Sequence, residues 1–200
     1  SGEITRFDLA TRQGQRIARV RAGIDNLAFS DSGELYVSNF SDGGISKITA
    51  SGSEEELIAR GMLGPFGLAM GNAGELYIAD GMSYAVMAPD GTVSRPSMLL
   101  THGFPGYVRG VAVGRDGTLY FSNSAGGIAS FVPGAEAVYL ANGLDRVMGL
   151  AIGIDGQLLA CESGSGRVLA IGKDGDHRVV VKDLKGPTGI AVAADGACYV

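Results

Sequence analysis

Five turn glycines, Gly33, Gly74, Gly117, Gly156 and Gly196, follow one another at spacings of 41, 43, 39 and 40 residues. Each sits in the same phrase. A Gly-Leu-Ala-Val-like run leads into a polar turn ending in glycine, and Leu-Tyr-Val-like residues closed by a polar residue follow. The first copy is Asn26-Leu27-Ala28-Phe29 with Leu35-Tyr36-Val37-Ser38-Asn39, and the second is Gly67-Leu68-Ala69-Met70 with Leu76-Tyr77-Ile78-Ala79-Asp80. The third is Gly110-Val111-Ala112-Val113 with Leu119-Tyr120-Phe121-Ser122-Asn123, and the fourth is Gly149-Leu150-Ala151-Ile152 with Leu158-Leu159-Ala160-Cys161-Glu162. The fifth is Gly189-Ile190-Ala191-Val192 with Cys198-Tyr199-Val200. A fixed period of this length marks a repeat architecture, in which no single unit buries its apolar face alone.

Each copy reads as four antiparallel strands, a to d. Strand a is a short, nearly continuous apolar run, as expected where both faces are buried. An Asp-Gly or Asn-x-Gly turn joins it to strand b as a hairpin. Strand c follows, as in Ile45-Ser46-Lys47-Ile48 and Val168-Leu169-Ala170-Ile171, and a second turn such as Pro89-Asp90-Gly91 leads to strand d. Ser53 to Glu56 has the spacing of a helical capping box, but the repeat register favours strand d there. Four-stranded units of this length predict an all-β chain, a β-propeller of antiparallel blades. A parallel β-helix has shorter rungs, a sandwich keeps no such period, and the absence of tryptophan disfavours WD repeats.

Ser1-Gly2-Glu3-Ile4-Thr5-Arg6-Phe7 aligns with Ser165-Gly166-Arg167-Val168-Leu169-Ala170-Ile171, so the chain opens at strand c. The reading is a single propeller domain over residues 1–200. It divides into a half blade 1–22, blades 23–62, 63–103, 104–143 and 144–184, and a half blade 185–200. These are five blade equivalents. Either the two halves share one blade of a five-bladed ring, a closure that hides sheet edges, or they come from a six-bladed parent. The stop inside a strand favours the parent.

Composition excludes some partners. Net charge is −5 with no block of Lys or Arg, which argues against nucleic acid. No stretch approaches the roughly 18 apolar residues of a membrane span, so no membrane partner is expected. The first residues lack the charged and apolar regions of a signal peptide, and the compartment stays open. Cys161 and Cys198 fall on opposite faces of neighbouring strands, which argues against a disulfide and predicts two small buried hydrophobes. Glu54-Glu55-Glu56 reads as a solvated turn or strand edge. His102 and His177 are expected in loops of different blades. No nucleophile, phosphate-loop or zinc motif occurs.

Gly64-Pro65-Phe66-Gly67-Leu68-Ala69 and Gly186-Pro187-Thr188-Gly189-Ile190-Ala191, each followed by its Gly-x-Leu-Tyr-like hairpin, resemble the NHL-repeat propellers. They are also similar to the senescence-marker-protein/gluconolactonase family and the streptogramin lyases. Asp155-Gly156-Gln157-Leu158-Leu159-Ala160-Cys161-Glu162 is similar to the gluconolactonase Cys-Glu-His stretch, with Ser163 where that family has His. The resemblance implies a propeller, and it implies hydrolase or lyase activity as one option.

In such propellers strand a lines the central channel, and the residues just before it face the channel mouth. Gluconolactonase-like enzymes hold a divalent cation there with Glu, Asn and Asp. The matching positions here are Asp25, Phe66, Arg109, Met148 and Thr188. Only one is a carboxylate, whereas a hard cation needs several converging oxygens. The expectation is therefore no cofactor, with Ca²⁺ unsupported by these residues. No catalytic residue and no metal ligand is assigned. The five positions read instead as a ligand site. Phe66 and Met148 supply apolar walls, Arg109 suits a carboxylate or phosphate, and Asp25 and Thr188 add polar contacts. Tyr107, Arg146 and His102 are expected on adjacent loops. The bland alternative is that Arg109 pairs with Asp25 across a hydrated channel. Asn39, Asp80, Asn123 and Glu162, which end each strand b, read as structural partners of the following turn. The expected function is binding of a small, anionic ligand at the axial mouth. The alternative is a non-catalytic protein-interaction propeller, so the partner is a small molecule or a protein.

Overall fold

The computed structural model describes residues 2–200, and every regular element among them is a strand. Four antiparallel sheets of four strands stand in a ring, forming a β-propeller. The first holds β3 (Ile24–Phe29), β4 (Leu35–Asn39), β5 (Gly44–Ile48) and β6 (Glu54–Ile58). The second holds β7 (Leu68–Met70), β8 (Leu76–Asp80), β9 (Ser83–Met87) and β10 (Val93–Met98). The third holds β11 (Val108–Val113), β12 (Leu119–Asn123), β13 (Ile128–Phe131) and β14 (Val138–Ala141). The fourth holds β15 (Val147–Ile152), β16 (Leu158–Glu162), β17 (Arg167–Ile171) and β18 (His177–Val181). In each sheet the strands lie side by side in chain order, innermost first.

Local chemistry explains each hairpin. Gly117, at φ 81°, takes the left-handed turn position that a Cβ disfavours, and it delivers Leu119 opposite Val113. Strands b and c are flanked by blades on both sides, so they are buried on both faces, as β12 and β16 are throughout. Outer strands are covered only where a further four-stranded sheet packs on them, as Leu140 and Ala141 of β14 pack on the fourth. Every residue of β18 is exposed.

The core lies between blades. Ala79 and Tyr84 of the second sheet meet Val108, Val111, Leu119, Phe121 and Phe131 of the third. Tyr84 and Phe121 have centroids 5.5 Å apart, and Phe104 meets Phe131 edge-on at 5.8 Å. Burial pushes the Tyr84 hydroxyl up to about 12.

The capping-box alternative is not adopted, since Glu54 to Glu56 begin β6. There Arg21 reaches Glu56 at 3.0 Å, and Lys47 reaches Glu55 at 3.5 Å. Two details differ from expectation. His177 opens β18 instead of lying in a loop. Cys161 is buried, but Cys198 is exposed on β20 (Cys198–Tyr199) and packs against nothing that hides it. β20 pairs only with β19 (Ala191–Val192).

The chain ends form two separate hairpins. β1 (Glu3–Asp8) pairs with β2 (Gln13–Arg19), and neither pairs with β19 or β20. Ile4 and Ala18 pack on Leu35, Val37 and Ile48 of the first sheet. A space of about 830 Å³ lies inside this hairpin against Leu27, Phe29 and Leu35, and no residue of β19 or β20 lines it. Tyr199 and Val200 face the central channel instead. In this structure the two half blades stand as separate two-stranded sheets.

Candidate functional site at the axial mouth

The inner strands approach so closely that glycine is required among them. A Cβ on Gly110 would fall 2.4 Å from the Met148 carbonyl oxygen. Behind the mouth runs a seam of hydrogen bonds from blade to blade. The Asn26 N–H donates to Ser38 Oγ (3.0 Å), which donates to the Phe66 carbonyl (2.8 Å). Two blades on, the Gly110 N–H donates to Ser122 Oγ (2.8 Å), which donates to the Met148 carbonyl (2.9 Å). The intervening blade has Ala79 in that register, and there the Gly67 N–H donates directly to the Arg109 carbonyl at 2.8 Å. In the fourth blade Cys161 takes the position. The Gly149 N–H donates to the Thr188 carbonyl at 2.9 Å, and the thiol donates to Gly189 at 3.4 Å. Burial pushes that thiol up to about 11, so it stays protonated.

Ser122→Ala is expected to orphan the Gly110 N–H and the Met148 carbonyl at a cost of about 1–3 kcal/mol. Thermal denaturation should show a loss of a few degrees. Ser130→Ala, on the same blade but away from the seam, should be near neutral.

The structure brings all five sequence-predicted positions together. Asp25, Phe66, Arg109, Met148 and Thr188, with Asn26, line one cavity of about 220 Å³. The Arg109 guanidinium lies over the Phe66 ring, 4.5 Å from its centroid, with Tyr107 at 6.0 Å. Phe40 stacks on Phe66 at 5.0 Å. Among the described residues Arg109 forms no ion pair with Asp25. Among the described residues the guanidinium, the Asp25 carboxylate and the Thr188 hydroxyl all lack hydrogen-bond partners, and all line the cavity. The bland pairing is thus not formed. Asp25 sits at the channel edge, and enclosure by the ring walls raises its carboxyl above the ordinary value. The Arg109 charge opposes that shift without cancelling it. The mouth continues into a channel of about 420 Å³ walled by Leu27, Leu68, Val111, Leu150 and Ile190.

Of the three loop residues expected nearby, only Tyr107 joins the aromatic group. His102 is exposed and lies 3.1 Å from Glu136, and Arg146 does not line the cavity. Asn26 was not anticipated. Its signal was its departure from the glycine found at that repeat position in the other four copies. Among the described residues no three His, Cys, Asp or Glu side chains converge as a metal site, and no helix is long and apolar enough to cross a membrane.

The residues ending strand b hold the loops that carry the mouth. Asn123 donates to the Pro105 carbonyl (2.9 Å) and accepts from the Ala125 and Gly127 N–H groups. Asp80 accepts from the Gly64 N–H at 2.9 Å. Glu162 accepts from the Asp145 N–H at 2.8 Å and from Arg167. Asn39, the first residue of the Asn39-Phe40-Ser41 sequon, is buried with its amide donating to Ala22.

No protein-family model matches the chain, and no curated protein matches it. Solved structures do. A catalytically inactive histidine-to-alanine variant of virginiamycin B lyase from Staphylococcus aureus, solved with quinupristin, shares 18% identity at a TM-score of 0.72. That match covers 96% of this chain and 68% of the lyase. A candidate gluconolactonase shares 16% at a TM-score of 0.76, covering 92% and 71%. A chain of the nidogen–laminin complex shares 20% at a TM-score of 0.82, covering 96% and 80%. These neighbours are propellers of the groups that the repeat motifs resemble, and at such identities they establish the fold that this chain shares with them.

Proposed function

We propose that the axial mouth binds a small organic anion, held through its carboxylate by Arg109. The observation that carries this reading is the guanidinium lying over the Phe66 ring, with no hydrogen-bond partner among the described residues. The cation–π contact holds the guanidinium at the ring, and its N–H groups suit a carboxylate. The cavity of about 220 Å³ and the channel that continues it have the size of a small-molecule site. The lining includes no histidine, and both histidines lie elsewhere. The reading is therefore binding, without turnover assigned.

Thermal denaturation with 3-phenylpropionate and its uncharged amide tests this. The acid should raise the midpoint, because a ligand of the folded state alone stabilises it by mass action. The amide should not. Arg109→Ala should lower affinity for the acid at least tenfold. Equal shifts from acid and amide, or an unaffected variant, would contradict the reading.

A second reading rests on the apolar rim of the same face. Phe40, Leu63, Met82 and Tyr107 are exposed there, and Leu100 is 92% exposed. Such a rim suits a protein partner, as does the likeness to a chain from a protein complex. Binding of that kind would be indifferent to Arg109→Ala.

A further inference from the structure

Two charges of opposite sign share the mouth without meeting. Arg109 and Asp25 line the same cavity, form no ion pair, and each lack a hydrogen-bond partner among the described residues. A simple anion would satisfy Arg109 but would bring its charge close to Asp25. A ligand with both signs removes that conflict. The apolar channel below adds a third requirement. Leu68, Val111 and Leu150 are packed into the cores between blades and show the channel a narrow apolar edge, below the mouth and beside Gly110 and Gly149.

We propose that the mouth recognises a compact zwitterion of the α-amino-acid type with an apolar side chain. Its carboxylate sits on the Arg109 guanidinium, its ammonium on the Asp25 carboxylate, and its side chain in the channel between Leu68, Val111 and Leu150. This rests on the reading of the mouth as an anion site and narrows it. Thr188 and the free amide end of Asn26 lie within the same lining and complete the polar collar. Charge-assisted hydrogen bonds at both ends are the strong ones, and the two ends fix one orientation.

The probes are L-phenylalanine, 3-phenylpropionate, phenethylamine and L-alanine, measured by calorimetric titration against the full chain. L-Phenylalanine should bind about tenfold tighter than 3-phenylpropionate, which lacks the ammonium. Phenethylamine, which lacks the carboxylate, should not bind measurably, and L-alanine should bind more weakly than L-phenylalanine. Asp25→Asn should cost L-phenylalanine about tenfold and should improve binding of 3-phenylpropionate. An unchanged melting curve for the unliganded variant shows that the fold is kept, as expected for a side chain at the channel edge. If both acids bind equally and both need Arg109, the zwitterion is overturned while the anion site stands. If neither binds, both readings fall.

Discussion

Phe121→Ala is expected to lower the unfolding free energy by about 3–5 kcal/mol, the range for emptying a buried aromatic site. Phe121 is 1% exposed and touches Tyr84, Phe104 and Phe131, with centroids 5.5, 6.2 and 6.2 Å away. Those rings come from two neighbouring blades and the loop between them. The cavity would therefore open at a blade-to-blade junction, where rigid sheets on either side cannot collapse inward. For a chain of this size about 1 kcal/mol moves the midpoint by roughly 2–4 °C, so a fall of roughly 10 °C should be seen. Val132→Ala, at an exposed position in the same blade, is the comparison and should change little. A loss below about 1 kcal/mol for Phe121→Ala would show that the junction repacks.

Arg167→Ala should cost about 3 kcal/mol, at the low end for stranding a buried charge because Arg167 is itself partly exposed. Its partner Glu162 is 1% exposed. Burial alone would raise the Glu162 carboxyl. Hydrogen bonds from Arg167 and the Asp145 N–H overcome that and leave it below its ordinary value of 4.5. A carboxyl depressed in the folded state contributes stability that is fully present above its ordinary value, and that contribution fades as pH falls through the folded value. The gap between wild type and Arg167→Ala should therefore be full at neutral pH and shrink in acid below 4.5. Urea titrations at about pH 7 and about pH 3 check it. A gap that does not depend on pH would mean that Arg167 acts through packing alone. Glu162 also holds the loop that leads to Met148, so the variant should also weaken the binding proposed for the mouth.

The period of the turn glycines was enough to place every strand quartet, because each unit repeats the same switch from an apolar run to an Asp-Gly turn. It also placed the mouth. Position in the repeat determines distance from the axis, so residues far apart in sequence could be grouped before any coordinates. What the register cannot carry is contact between side chains of unlike blades. Arg109 lies on Phe66 and leaves Asp25 unpaired, which depends on rotamers and on Phe40 behind the ring. The exposure of Cys198 escapes the register for a related reason. Burial of a strand residue is decided by the sheet beside it, and β20 has only β19. The series Ser38, Ala79, Ser122, Cys161 was visible in register, yet its meaning appears only when the neighbouring carbonyls are in place.

The seam behind the mouth separates two jobs that many binding sites combine. The carbonyls of Phe66, Arg109, Met148 and Thr188 are tied to the preceding blade through serine hydroxyls or glycine N–H groups. Their side chains take no part in that anchoring. Natural variation can therefore exchange what projects into the opening one residue at a time while the frame keeps its aperture. A single ring of this kind can change the chemistry of its opening across evolution without redesign of its skeleton.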